Sequence, residues 1–288
     1  MSLSGNVIAR EMIVIFIFVT DLDGTLLGHD NFDFEPIKAG LKSLLEAGHK
    51  LVLASSKTKA EIEDFCNNFG CRLPFVYENG AGFENIGFLS DLRTSSYSNR
   101  NSNAIRIKNL LAVWEKRIPL SLRRYCTFVK DMDQKAQETC LGLRGAALDR
   151  ALNRFYSLPL IFSGTKLQLF ELQQEVVKAG LSLQEGGRVS NLSGCHDKAD
   201  YLSEIRNLTT QTKDVSVVIG LGDSKNDIEM LKQADVSCVI PNRDGTHLNL
   251  GEGIVPTIVA PRAAPLGWLD AALGSLALFS AKKGINYG

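Results

Sequence analysis

A run of β-branched and aromatic residues from Ile13 to Val19 leads directly into two carboxylates, Asp21 and Asp23. Such a run is typical of a strand that is buried on both faces, as in a parallel sheet. Gly24-Thr25 follows and breaks the strand. In an open parallel sheet, ligands bind beyond the carboxyl ends of the strands. The run therefore predicts the first strand of an α/β core, with the acidic pair at its ligand-binding edge.

Two carboxylates this close repel each other, and the pKa of one should rise unless a cation neutralises the pair. A magnesium ion does this with few protein carboxylates and keeps its other positions for water and phosphate. The alternative is an ordinary Asx turn, since Asp-Gly is common in turns. The pair alone does not separate the two interpretations, so the other segments of the chain must.

Composition excludes several classes of protein. The 288 residues include 32 Lys plus Arg and 32 Asp plus Glu, so the chain lacks the basic surplus of a nucleic-acid or anionic-membrane binder. Six scattered cysteines show no C-x-x-C or zinc spacing and are interpreted as reduced thiols. The longest apolar run, Met12 to Val19, is shorter than the roughly 20 residues of a membrane helix. We expect a cytoplasmic protein with a small-molecule partner, and leave its oligomeric state open.

Strand and helix patterns alternate on both sides of a middle region. Before it, the predicted elements are strands at 50–54 and 75–77 and helices at 35–47 and 59–69. After Asp197 strands and helices alternate again, with helices predicted from 197 and at 226–234 and strands at 215–219 and 236–240. This alternation predicts a doubly wound parallel sheet. The tail, at 254–259 and 265–269, is expected to close the edge of the sheet.

The middle third has a different pattern. A polar linker is predicted from 84 to about 104, followed by helices at 105–118, 141–155 and 169–179. A strand is predicted at 158–162 and two more within 181–192, broken by Gly186-Gly187. We therefore predict an α+β cap at 84–187, inserted between the core segments 1–83 and 188–288.

Three further polar segments follow predicted strands or begin predicted helices. Ser55 ends the second strand, and a hydroxyl there can donate to a phosphate oxygen. Lys198 begins a helix, where its charge opposes the helix dipole unless an anion is bound. In G-L-G-D-S-K-N-D, Asp223 and Asp227 are four residues apart. The alternatives are a solvated lysine and a dinucleotide turn, although Lys225 replaces the third glycine of that turn.

The order of these motifs resembles the haloacid-dehalogenase (HAD) superfamily of phosphotransferases: D-x-D-G-T, a strand-end Ser, a Lys and G-D-x-x-x-D. Further stretches are similar to the mannosyl-3-phosphoglycerate phosphatase branch of that superfamily. They are H-D-N-F-D-F, S-S-K-T, Y-E-N-G-A, G-G-R and P-L-G-W. That branch carries a large α/β cap between its second and third motifs, where the insert of this chain lies.

The resemblance implies a mechanism and a role for each motif residue. Asp21 would attack phosphorus and become an aspartyl-phosphate, and Asp23 would be the general acid and base. Ser55 and Lys198 would hold the transferring phosphoryl group.

A magnesium ion is implied as the cofactor. Its ligands would be the Asp21 carboxylate, the Asp23 carbonyl and the Asp223 carboxylate, with Asp227 orienting the set.

The chain departs from the branch in the cap. R-E-[FY]-S-E-P is usual there, whereas residues 154–159 are R-F-Y-S-L-P, so two glutamates are replaced by apolar residues. Candidate substrate contacts share polar side chains that could face the catalytic edge: Arg154, Ser157 and Arg188 from the insert, and Lys57 and Asn79 from the core. Because an arginine fork pairs well with a carboxylate or phosphate, we expect a substrate with a second anionic group.

The leading hypothesis is a magnesium-dependent phosphatase that hydrolyses the phosphomonoester of a sugar or glycosyl-glycerate. A sugar phosphomutase is the first alternative, and it would require a bisphosphate. A phosphosugar-binding protein without turnover is the second, and it would not need a nucleophile.

Overall fold

The computed structural model describes residues 14–29, 32–89, 98–186, 188–209 and 215–283. Ile13, part of the predicted linker and Gly187 lie outside these ranges. The strands are β1 (Val14–Thr20), β2 (Lys50–Ala54), β3 (Phe75–Tyr77), β4 (Gly82–Glu84), β5 (Asn99–Arg100), β6 (Cys126–Phe128), β7 (Ser157–Phe162), β8 (Leu181–Glu185), β9 (Ser190–Gly194), β10 (Val215–Gly222), β11 (Val236–Val239) and β12 (Ile258–Val259).

The helices are α1 (Glu35–Glu46), α2 (Lys59–Phe69), α3 (Ile107–Arg117), α4 (Leu120–Arg123), α5 (Gln134–Leu141), α6 (Gly145–Leu152), α7 (Lys166–Lys178), α8 (Leu202–Thr209), α9 (Ile228–Gln233) and α10 (Leu266–Lys283). Short 3₁₀ turns include Lys198–Tyr201 and Lys225–Asp227. No helix in the described ranges is long and apolar enough to span a bilayer.

The first sheet has eight strands in the order β12-β11-β10-β1-β2-β3-β4-β5. The six strands from β12 to β3 are parallel, whereas β4 and β5 are antiparallel. β1 lies in the centre, paired with β10 on one side and β2 on the other. The predicted α/β fold with a mostly parallel sheet is confirmed. Because the parallel strands share a direction, their carboxyl ends meet at one edge.

Alternate residues of β1 enter two separate cores, as the two-residue period of a strand requires. Phe16 and Phe18 face α1, α2 and α10. Ile17 and Val19 face the opposite layer, formed by α8 and α9. The central strand is thus apolar on both faces because both faces are covered, which is why the run from 14 to 19 lacks polar residues.

The tail of the chain differs in part from the prediction. β12 forms the edge of the sheet as expected. Residues 266–269, however, form the first turn of α10, which packs on a face of the sheet. Trp268 is fully buried there against Phe18, and its indole N–H donates to Thr20 Oγ1 at 2.9 Å. A long apolar helix needs a face to cover, and the face beside α1 supplies it.

A second sheet, the cap sheet, has four antiparallel strands in the order β6-β7-β9-β8. Its apolar side packs on cap helices through Leu158, Leu160 and Leu192, which share a core with Trp114 and Val176. The limits of the insert differ from those predicted. β4 and β5 extend the first sheet, whereas β9 belongs to the cap sheet, so the cap begins and ends later than 84 and 187. The predicted helix 141–155 is shorter, because Gly142 adopts a left-handed conformation (φ 69°) and ends α5.

Candidate active site

The carboxyl ends of β1, β2 and β10 bring the core motifs together. Register places Thr20 beside Leu221 on one side and Leu53 on the other, and the Asp21 N–H donates to the Leu221 carbonyl at 3.0 Å. Asp21 and Ser55, the residues that follow β1 and β2, are both buried. The sheet therefore assembles segments that are far apart in sequence at one edge.

Lys198 lies at the centre of this edge. Its Nζ atom is 2.6 Å from Asp21 Oδ1 and 2.6 Å from Asp227 Oδ1, and its side chain is fully buried. Burial alone would lower the pKa of the ammonium group, but the two carboxylates outweigh burial and raise it. The Asp197 side chain caps the turn by accepting from the Ala199 N–H. Lys198 is therefore a permanent buried cation rather than a solvated surface lysine.

The loop after β10 is held by two side chains. Thr25 Oγ1 donates to Asp223 Oδ1 at 2.5 Å. Asp227 Oδ2 accepts from the backbone N–H groups of Asp223 at 3.2 Å and Ser224 at 3.1 Å. Both oxygens of Asp227 thus accept hydrogen bonds from the protein, an arrangement suited to orienting its neighbours.

The donor set suits a hard divalent cation. Asp21, Asp223 and Asp227 each offer a carboxylate oxygen within 4.8 Å of the others, and oxygen ligands favour magnesium, calcium or manganese. Burial raises the pKa of Asp223 to about 7, and the charge of Asp227 contributes. Burial also raises the pKa of Asp21; Lys198 opposes this, and Asp227 and Asp223 add to it. A bound cation would remove the repulsion, so the residues fit the predicted magnesium.

Lys57 lies beside the second acid of the D-x-D motif. Its Nζ is 2.8 Å from Asp23 Oδ2 and 3.7 Å from Glu61 Oε1, and it packs over the Phe32 ring at 4.9 Å. Burial would lower the pKa of Lys57, but Asp23 and Glu61 outweigh it and raise the pKa. The Lys57 backbone N–H donates to Ser55 Oγ at 3.2 Å. Lys57 and Asp23 therefore form an ion pair at the mouth of the site.

A cleft of about 360 Å³ separates this edge from the cap. Its core side includes Asp21, Asp23, Lys57, Asp223 and Asn226. Its cap side includes Arg154, Arg188 and Asn191. Both predicted cap arginines thus line the same cavity as the acidic pair. Arg188 is exposed, and its Nη1 donates to the Leu141 carbonyl at 2.8 Å.

Two predicted substrate contacts do not line the cleft. Ser157 is buried, and its hydroxyl donates to Glu78 Oε2 at 2.6 Å. Asn79 is also buried, and its Oδ1 accepts from Asn226 Nδ2 at 3.2 Å. Residues that are distant in sequence already form hydrogen bonds with these polar groups, and a direct role of Ser157 and Asn79 in substrate binding stays a prediction.

Sequence reasoning missed three residues that lie in or beside the site. Thr25 holds Asp223, Asn226 reaches the cleft, and Glu78 accepts from the cap. Each lay within a quoted motif: D-G-T, S-K-N-D and Y-E-N-G. The signal for Glu78 was a charged residue directly after a buried strand, the same signal that identified Asp21.

Comparison with known proteins supports this assembly. Residues 18–100 match the family of haloacid dehalogenase-like hydrolases. The chain is 26% identical over 268 residues to a protein of Methanococcoides burtonii named glucosyl-3-phosphoglycerate/mannosyl-3-phosphoglycerate phosphatase, covering 88% of this chain and 95% of the relative. A protein of the same name from Persephonella marina is 29% identical over 237 residues, covering 78% and 85%. The chain is therefore similar to haloacid dehalogenase-like hydrolases in its first third, and to these two relatives over most of its length. The predictions of this superfamily and of a hydrolase are confirmed.

Solved structures share the fold of this hydrolase. One from Bacteroides thetaiotaomicron, described among phosphatases of the haloalkanoate (HAD) superfamily, has a TM-score of 0.64 at 18% identity, covering 96% of this chain and all (100%) of that chain. A haloacid dehalogenase-like hydrolase from B. subtilis has a TM-score of 0.63 at 15% identity, covering 90% and 99%. The similarity extends over the cap as well as the core.

Proposed function

We propose that this hydrolase is a magnesium-dependent phosphatase that forms an aspartyl-phosphate on Asp21. One observation carries the proposal: the Lys198 ammonium is buried between Asp21 and Asp227 at 2.6 Å from each, at the base of an open cleft. A protein that only binds phosphosugars does not need a carboxylate at this position. A phosphatase does, because the carboxylate is its nucleophile.

In the first step, an Asp21 carboxylate oxygen forms a bond to phosphorus while the bond from phosphorus to the leaving oxygen breaks. Asp23 gives its proton to that oxygen. In the second step, water attacks phosphorus, Asp23 takes the proton of the water, and inorganic phosphate leaves Asp21. Ser55 and Lys198 stabilise the charge on the phosphoryl oxygens in both steps. Lys57, 2.8 Å from Asp23, orients this acid at the mouth of the site.

Asp21, Asp223 and the Asp23 carbonyl would hold magnesium, and Asp227 would orient Asp223 through the loop N–H groups it accepts from. When bound, the ion neutralises charge on the carboxylates and on the phosphoryl group. Burial raises the pKa values of Asp21 and Asp223, and the charges of neighbouring carboxylates add to this; a bound cation would offset both effects, which supports this assignment.

The substrate we propose is a glycosyl-3-phosphoglycerate. Two observations support it: the names of the two relatives, and the two cap arginines that line the cleft opposite the acidic pair. An arginine fork suits a carboxylate, and phosphoglycerate carries a carboxylate besides its phosphate.

The two apolar replacements in the cap do not weaken this proposal. Leu158 packs in the core of the cap, and the Phe155 ring lies under the Arg106 guanidinium at 5.6 Å. Neither residue is among the described residues that line the cleft. In this chain, substrate recognition rests on Arg154 and Arg188 instead.

The test is a panel of phosphomonoesters assayed with and without magnesium: mannosyl-3-phosphoglycerate, 3-phosphoglycerate, mannose 6-phosphate and p-nitrophenyl phosphate. We expect hydrolysis that requires magnesium and the highest kcat/KM on the glycosylated phosphoglycerate. A requirement for a sugar bisphosphate would indicate a phosphomutase. Binding of these compounds without phosphate release would refute the phosphatase.

A further inference from the structure

The turn Glu78-Asn79-Gly80 belongs to the core and contacts the cap through hydrogen bonds of Glu78. Glu78 and Asn79 follow β3 with left-handed backbone angles (φ 46° and 55°), which cost energy for residues other than glycine. Gly80 has φ 103°, and a Cβ there would collide with the backbone carbonyl of Asp197. A strained turn persists only where its surroundings hold it, so its contacts indicate what it does.

The Glu78 carboxylate is buried inside the core–cap junction. Oε1 accepts from the Phe155 N–H at 3.0 Å, and Oε2 accepts from the Tyr156 N–H at 3.0 Å and the Ser157 hydroxyl at 2.6 Å. Within the described part of the chain, no lysine or arginine nitrogen lies within 4.0 Å of it. A buried carboxylate is costly unless hydrogen bonds and a positive charge compensate it. Glu78 has these hydrogen bonds, and the Ser157 hydroxyl connects its carboxylate to the guanidinium of Arg154.

Ser157 links Glu78 to Arg154. Its oxygen donates to Glu78 and accepts from Arg154 Nη1 at 2.9 Å. Arg154 Nη1 also donates to the Ser56 carbonyl at 3.2 Å, and Nε donates to the Ala151 carbonyl at 3.0 Å. Arg154 lines the cleft. The guanidinium is thus anchored at Nε and Nη1, and Nη2 has no hydrogen-bond partner among the described residues.

We propose that Glu78 and Ser157 are positioning residues that hold the Arg154 guanidinium in the cleft, where Arg154 recognises the second anion of the substrate. The inference rests on the proposed function, because that function supplies a substrate with two anions. It assigns a role to Ser157, which does not contact the cleft, and to the Y-E-N-G motif. The core thereby sets the orientation of a cap side chain.

Ser157→Ala removes the link and leaves the backbone hydrogen bonds of Glu78 in place. We expect kcat/KM on mannosyl-3-phosphoglycerate to fall about tenfold, mainly through KM, since one charge-assisted contact is loosened. Activity on p-nitrophenyl phosphate, which has no second anion, should stay within about twofold. Glu78→Gln should show the same split between the two substrates.

Ser193→Ala is the matched control. Ser193 is opposite Ser157 on the neighbouring strand and is also buried. Among the described residues, its hydroxyl donates only to the carbonyl of Gly194. We expect no change in KM on either substrate. Equal losses in Ser157→Ala and Ser193→Ala, or equal losses on both substrates, would overturn the proposal.

A double-mutant cycle tests whether the effect passes through Arg154. Arg154→Ala alone should reduce kcat/KM on the glycosylated substrate more than Ser157→Ala does, and adding Ser157→Ala should cause no further loss. Additive losses would show that Ser157 acts independently of Arg154 and would refute the link.

Failure of the proposed function is distinguishable from failure of this inference. If no phosphomonoester is hydrolysed, the function fails, whereas crystal structures of wild type and Ser157→Ala still test the link. The proposal expects the Arg154 guanidinium to leave its place beside residue 157 in the variant. An unmoved guanidinium would contradict it whatever the activity.

Discussion

The two walls of the cleft differ in burial and in charge. On the core wall, Asp21 lines the cleft, and Lys198 and Asp227 are buried behind it. The three side chains are no more than 7% exposed, and the two ion pairs measure 2.6 Å. On the cap wall, Arg188 is exposed and Arg154 is half-buried. In the proposed reaction, the core wall binds a phosphoryl group that every candidate substrate shares, so its charges can be fixed. The cap wall would contact the part of the substrate that varies, which agrees with the greater accessibility of its side chains.

The difference also predicts how each wall responds to substitution. Removing one partner of a buried ion pair leaves an uncompensated charge and costs about 3–5 kcal/mol. Exposed charged contacts usually contribute about 0–1 kcal/mol to stability. Changes in the core wall should therefore lower both stability and activity on every substrate. Changes in the cap wall should lower activity only on substrates that carry a second anionic group.

The largest effect is expected for Asp21→Asn. Asparagine keeps the shape of the side chain but removes the nucleophile, so turnover should fall more than about a hundredfold on both mannosyl-3-phosphoglycerate and p-nitrophenyl phosphate. Circular dichroism should show that the variant still folds, because Lys198 keeps its ion pair with Asp227, but with a lower melting temperature. Residual activity above about a hundredth of wild type would contradict the assignment of Asp21 as nucleophile.

An intermediate and selective effect is expected for Arg188→Ala on the cap wall. Loss of a charged hydrogen-bond partner costs about 2–3 kcal/mol in transition-state binding, or roughly 30- to 150-fold in kcat/KM on the glycosylated phosphoglycerate. Hydrolysis of p-nitrophenyl phosphate should be unchanged. If both substrates lose activity equally, Arg188 supports the fold instead, and the distinction between the walls fails.

The smallest effect concerns stability and the pKa of Asp223, which burial raises to about 7. This value exceeds the ordinary 3.8, so between pH 3.8 and about pH 7 the metal-free folded protein binds more protons than the unfolded chain. The free energy of unfolding therefore falls as the pH rises through that range. A cation binds the deprotonated carboxylate. The rise in melting temperature caused by magnesium should therefore be small at about pH 5 and larger at about pH 8.

Asp223→Asn is the control for this measurement, since its amide does not titrate. The magnesium-dependent rise should be reduced in the variant and should depend less on pH. An equal rise in both proteins at every pH would show that Asp223 does not contribute to the site.

The sequence by itself determined the fold and the edge of the sheet at which the candidate catalytic residues lie. The run before Asp21 could be interpreted because a strand buried on both faces needs apolar residues throughout. Asp21, Asp23, Ser55, Lys198 and Asp223 could be named because each follows or begins a local pattern, and the common direction of parallel strands brings such ends together. These inferences need only local periodicity and one topological rule.

Only the tertiary structure decided which polar residues face the cleft. Ser157 and Asn79 had the right chemistry, but their hydrogen bonds to Glu78 and Asn226 join residues 79 and 147 positions apart. No local pattern contains such pairings. The extent of the cap was decided in the same way, because β9 joins the cap sheet by pairing with β7. A polar side chain can bind a substrate only with donors and acceptors that do not already bond to another residue of the folded protein. Such partners can be distant in sequence, so local patterns do not reveal them.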